Sequence, residues 1–133
     1  MLGEQIGSLT ASTTNKPLPV DGAFPKFEVT ATGSGTLAGA EVQTLATYAA
    51  QMREDGTLYG ECPAGAIMTQ DGVATFTATG CGSFTADGGA VFRGAVYFQA
   101  AAPSLSSLNG TCGIYEWDVD AEGNATWNIW EWK

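Results

Sequence analysis

Apolar and polar positions alternate along most of this chain, and the plainest case is the segment from Val73 to Thr85. Thr75, Thr77, Thr79, Cys81 and Ser83 fall on one face; Phe76, Ala78, Gly80, Gly82 and Phe84 fall on the other. Its β-branched and glycine-rich make-up disfavours a helix, so the alternation predicts one long strand. Asp71-Gly72 and Asp87-Gly88 bound it, and with Asp55-Gly56 these pairs recur every 16 residues. Asp-Gly is a hairpin signal, because both residues tolerate the positive φ that primed turns demand.

Reading outward predicts strands over Glu4 to Thr14, Phe27 to Gly35, Ala40 to Arg53, Thr57 to Thr69, Val73 to Thr85, Gly89 to Ala100, Asn109 to Val119 and Ala125 to Lys133. The two long connections are Lys16 to Pro25 and Ala101 to Leu108, the second with room for a short helical turn from Pro103. Short links between neighbours favour an up-and-down meander. The expected fold is therefore all-β, one domain over residues 1–133: a closed antiparallel barrel of about eight strands. Closure removes the two exposed edges, and repeated internal glycine suits strongly coiled strands, which favours it over a sandwich.

Alternation then assigns faces. Phe92, Gly94, Val96 and Phe98 are expected inside, as are Phe27, Val29, Val42, Ala46, Tyr48, Leu58, Gly60 and Cys62, with Tyr115, Trp117, Trp127, Ile129 and Glu131 closing the ring. Much of this lining is small. Either it leaves a cavity for a small molecule, or the glycines only relieve curvature while aromatic rings fill the space. In the last strand, period two sets Trp127 on the face opposite Trp130 and Trp132. That outward pair suits a homodimer contact, or else two half-buried rings under neighbouring loops.

Composition narrows the function. The 133 residues are 44% hydrophobic and 14% charged, which is a folded chain rather than a disordered one. The net charge of −9 repels nucleic-acid phosphates, so no nucleic-acid partner is expected. No run of 18 apolar residues and no basic-then-apolar opening occurs, so no membrane partner is expected. Cys62, Cys81 and Cys112 are odd in number and widely spaced, which suits a reducing, cytoplasmic setting.

The chain has no histidine, which removes a Ser-His-Asp triad and histidine metal sites. The segment Asp118 to Gly123 offers acidic groups at calcium-loop spacing, but Ile129 stands where a bidentate glutamate is needed, so it reads as a hairpin. No metal and no cofactor are expected. What remains is acid and base work by carboxylates and phenols in an apolar pocket. Glu131 shares the face of Trp127 and Ile129 and is the first catalytic candidate, or else it reaches solvent near the terminus. Tyr48, Tyr115 and Cys62 are expected to assist it by hydrogen bonding. Cys62, Phe76, Phe84, Phe98, Trp117 and Trp127 are the expected ligand-binding residues.

With this layout, the chain resembles the allene oxide cyclase-like barrels, which include cyclases and isomerases of small hydrophobic substrates. The phrases Asp55-Gly56-Thr57-Leu58-Tyr59-Gly60, Arg93-Gly94-Ala95-Val96-Tyr97 and Trp130-Glu131-Trp132-Lys133 also look like small uncharacterised bacterial proteins. No functional residue of the cyclases matches a position here. The resemblance implies a small hydrophobic molecule bound in the barrel, with cofactor-independent cyclisation or isomerisation as its chemistry. A non-catalytic carrier and a structural, oligomer-forming barrel are the alternatives.

Overall fold

The computed structural model describes residues 2–20, 22 and 24–133. Eight strands close in sequence order into an antiparallel meander barrel: β1 (Leu2–Pro17), β2 (Lys26–Leu37), β3 (Ala40–Met52), β4 (Leu58–Thr69), β5 (Gly72–Phe84), β6 (Ala90–Ala100), β7 (Cys112–Val119) and β8 (Asn124–Trp132). β1 closes the ring by pairing with both β2 and β8. The one helical element is a 3-10 turn, Pro103–Leu108, in the connection where the sequence left room for it.

Alternation sorts the side chains as the sequence predicts. Phe76, Ala78, Phe92, Val96 and Phe98 are buried, while Thr75, Thr77, Arg93 and Tyr97 are exposed. Ser and Thr stand outward in register on the wall, as in Thr126–Thr10–Ser34 across β8, β1 and β2. A polar outer wall around an apolar interior is the reverse of a lipid-facing barrel. No helix of the described residues is long and apolar enough to cross a membrane.

The two ends of the barrel differ. At one end the 3-10 helix folds under the strands as a plug, and its Leu105 and Leu108 join Leu37, Ile67, Val96 and Ile129 among the most deeply buried side chains. Asp71 ties the plug in place, accepting hydrogen bonds from the Ser104 backbone N–H at 2.9 Å and the Ser104 hydroxyl at 2.7 Å. The opposite end, bordered by the loops after β5 and β7, holds a mouth of about 280 Å³.

The hairpin chemistry is not the one the Asp-Gly pairs suggest. In the loops after β3 and β5 only the glycine takes a positive φ, +85° at Gly56 and +94° at Gly88. The amides of Gly56 and Gly88 donate to the carbonyls of Arg53 and Thr85. This is the longer hairpin closed by a left-handed glycine. The aspartate keeps an ordinary backbone and binds locally instead: Asp55 accepts from the Thr57 N–H and hydroxyl, and Asp87 from the Thr85 hydroxyl. The two-residue turn with positive φ at both positions is Ala38–Gly39, at +50° and +81°. The Asp118-to-Gly123 stretch is the β7–β8 hairpin, where the Asp120 carboxylate accepts the N–H groups of Glu122 and Asn124.

Candidate ligand-binding site

Inside the barrel, between plug and mouth, six aromatic rings converge from five strands. Trp117 of β7 and Trp127 of β8 are direct cross-strand partners and meet edge to face at 6.3 Å. Tyr115 packs on Trp127 at 6.2 Å, Phe76 on Trp127 at 5.0 Å, and Tyr48 on both Trp117 and Phe92. Such pairs each add about 0.5–1.5 kcal/mol beyond the area they bury. The small inward residues are the seats of these rings. A Cβ on Gly60 would lie 3.1 Å from the Phe92 ring, and one on Gly65 only 2.2 Å from Phe76.

The rings do not fill the interior. A cavity of about 70 Å³ remains, bordered by Tyr48, Cys62, Phe76, Ala78, Phe92, Tyr115, Trp117 and Trp127 among others. Tyr48 and Phe92 border both this chamber and the mouth, so that edge-to-face pair is the partition between them.

Tyr48, Tyr115, Trp117, Cys62, Thr44 and Glu61 bring polar groups to the chamber's border. The Trp117 indole N–H donates to the Tyr48 hydroxyl at 3.1 Å. Tyr115 is only 7% exposed, and its hydroxyl has no hydrogen-bond partner among the described residues. A Cβ on Gly80 would lie 2.5 Å from that hydroxyl, so only glycine leaves it room. Burial raises the pKa of both phenols; for Tyr48 the indole donation pulls the other way, and for Tyr115 the neighbouring Cys62 and Tyr48 add to the rise. Burial also keeps the Cys62 thiol protonated, against a smaller opposing pull from the Ala64 amide. The phenols and the thiol are therefore uncharged and set among ring edges and faces, and the carboxylate at the chamber's border is that of Glu61.

One side of the chamber reaches the barrel wall. The β3–β4 ladder breaks between the Leu45–Ala66 and Ala49–Glu61 pairs, and the β4–β5 ladder between Cys62–Ala78 and Gly65–Phe76. The extra residues are Pro63 and Ala64; proline has no N–H to give a ladder and belongs at such a bulge. Cys62 and Gly65 both point inward across it, so the strand's alternation slips by one residue there. Exposed Glu61 thereby comes to the rim of the chamber.

Of the residues singled out in the sequence, Tyr48, Tyr115, Cys62, Phe76, Trp117 and Trp127 meet around this one cavity. Phe98 is buried and pairs across strands with Phe76, but does not border the cavity. Phe84 stands 45% exposed at the mouth, edge to face with Phe27. Glu131 lies opposite Gly113 toward the plugged end, half-buried, and does not border the chamber. Phe92, expected inside but given no role, is a wall of both compartments. Glu61 was missed because strict alternation turns it outward, and Pro63 is the one sequence signal of the bulge that brings it to the rim. Of the outward tryptophans, Trp130 is half-buried; Trp132 is exposed in a cross-strand row with Leu2, Cys112 and Tyr97.

Fold and interior together define a small closed meander barrel with an aromatic chamber. No protein-family profile matches the chain, and no curated protein matches it. Solved structures do. A protein of unknown function from Clostridium acetobutylicum superposes with a TM-score of 0.81 at 14% identity, covering 98% of each chain. A conserved protein of unknown function from Rhodopseudomonas palustris gives 0.80 at 14% identity, over 98% of this chain and 97% of that one. A β-barrel-like protein from Acinetobacter baumannii gives 0.77 at 12% identity, over 100% and 96%. The likeness is one of fold.

Proposed function

We propose that this barrel binds a small hydrophobic molecule in its aromatic chamber, reached from the open mouth. The observation that carries the proposal is the hydroxyl of Tyr115, on a side chain only 7% exposed, bordering a cavity and without a protein hydrogen-bond partner among the described residues. A hydroxyl so placed faces the open space with its hydrogen-bonding capacity unused by the protein, which suits a molecule bound there.

Volume limits the ligand. At about 70 Å³ the chamber is roughly half the ~150 Å³ of an apolar cavity that takes up benzene. Chamber and mouth together fall just inside the lower end of the ~300–1,000 Å³ range of ligand sites. The natural ligand is therefore compact, or it seats one end in the chamber and displaces the Tyr48–Phe92 partition.

A second reading, cofactor-independent cyclisation or isomerisation in the manner of the allene oxide cyclase-like barrels, is favoured by one feature. Glu61 sets a carboxylate at the rim of a chamber holding two phenols, the acid and base groups such chemistry uses. In that reading Glu61 takes the role the sequence suggested for Glu131.

Native mass spectrometry of the freshly purified protein, before and after exposure to benzene, tests the binding proposal. An apolar adduct is expected in one sample or both. Ala46→Leu, which fills the chamber from a half-buried position, should remove it. A bare chain under both conditions overturns the proposal.

A further inference from the structure

We infer that the ligand is a neutral carbonyl compound, its oxygen held between the hydroxyls of Tyr115 and Tyr48; this rests on the interior being a binding site. The Tyr48 oxygen already accepts the Trp117 indole N–H at 3.1 Å, so its own proton is free to be given elsewhere. Tyr115 makes no hydrogen bond among the described residues and has a proton to give as well. Both phenols border the same cavity. They are close enough that charge on one opposes ionisation of the other, and burial keeps both protonated. Two phenol donors inside the chamber, with the Glu61 carboxylate outside at its exposed rim, call for one oxygen with two lone pairs, which a carbonyl supplies.

Charge excludes anionic ligands. No lysine or arginine borders the chamber or the mouth, whereas Asp120 and Glu122 border the mouth and the chain carries a net charge of −9. A carboxylate or phosphate would be repelled on approach, then stripped of water without a cation to receive it. A hydrocarbon would fit the rings but leave both hydroxyls unanswered.

The test compares cyclohexanone, its isostere methylenecyclohexane (CH₂ in place of the oxygen) and cyclohexanecarboxylate, titrated against the fluorescence of the chamber tryptophans in the wild type and in Tyr115→Phe. Cyclohexanone should bind more tightly than methylenecyclohexane, and the carboxylate should not bind over the same range. Tyr115→Phe should weaken cyclohexanone roughly 2- to 12-fold, the span of one neutral hydrogen bond, and leave methylenecyclohexane unchanged. Equal binding of ketone and alkene in the wild type overturns the carbonyl assignment while leaving the interior site standing. Binding of the carboxylate as tight as that of the ketone overturns it too. If neither neutral compound binds the wild type, the interior site itself falls. The ketone–alkene comparison needs no variant, so a Tyr115→Phe protein that fails to fold does not blunt the test.

Discussion

The indole N–H of Trp117 and the hydroxyl of Tyr48 meet at 3.1 Å across the barrel, 69 residues apart in the chain. Their rings also pack edge to face at 6.2 Å. Tyr48→Phe keeps the ring and removes the acceptor, leaving an indole N–H in the interior without its partner. We expect a loss of about 1–3 kcal/mol in urea unfolding, with little change in the m-value.

Gly65 and Phe76 form the tightest glycine–ring seat in the chamber wall. A methyl at position 65 would collide with three atoms of the Phe76 ring, the nearest at 2.2 Å. Gly65→Ala should cost about 1–3 kcal/mol by overpacking. The double variant with Phe76→Leu should show a favourable coupling against the sum of the single changes. Simple additivity in that cycle would mean the ring is not what excludes the methyl.

Ala38 carries a strained backbone. It is the one non-glycine among the described residues with positive φ, +50°, in the turn between β2 and β3. Asparagine accepts that conformation more readily than alanine. Ala38→Asn is expected to raise stability by about 0.5–1 kcal/mol, read from the urea midpoint, with ligand binding unchanged because the turn lies at the plugged end.

Stability should fall at both pH extremes for different groups. Burial raises the phenols of Tyr115 and Tyr48 above their ordinary 10.0. The unfolded chain therefore loses these protons first; their contribution is whole below about pH 10 and is lost as pH rises through the folded-state values. Tyr115→Phe should flatten that alkaline decline. At the acid end, hydroxyl and amide donors hold Asp55, Asp71 and Asp87 below 3.8. Their contribution is present above 3.8 and fades as pH drops through the lowered values. Of the three, Asp71→Asn should show the altered acid limb together with faster hydrogen exchange in the plug, since Asp71 also holds Ser104.

The fold was largely legible because its signals are local. Alternation needs only neighbouring residues, and it separated Phe76 from Thr77 and Phe92 from Arg93 without knowledge of their surroundings. Pro103 and the two leucines after it likewise announced the helical turn. The hairpins were located correctly but not in kind, because Asp-Gly states that a turn occurs, while the hydrogen bonds of the flanking strands decide which residue takes the positive φ.

The site was half legible for the same reason. The sequence by itself determined that six candidate side chains face one interior, since inward parity on successive strands of a barrel leads to one place. It did not determine their depth along the axis. That depth is set by strand register, which separates Glu131 and Phe98 from the chamber and sends Phe84 to the mouth. Whether small residues left a cavity or a seat was also beyond any local pattern, because the atoms that meet Gly60, Gly65 and Gly80 come from other strands. Only the tertiary structure put Phe92 between two compartments, brought Glu61 to the rim through the bulge at Pro63, and left the Tyr115 hydroxyl without a protein partner beside an open space. Each of those depends on the distance between strands, and alternation along one strand carries no distance.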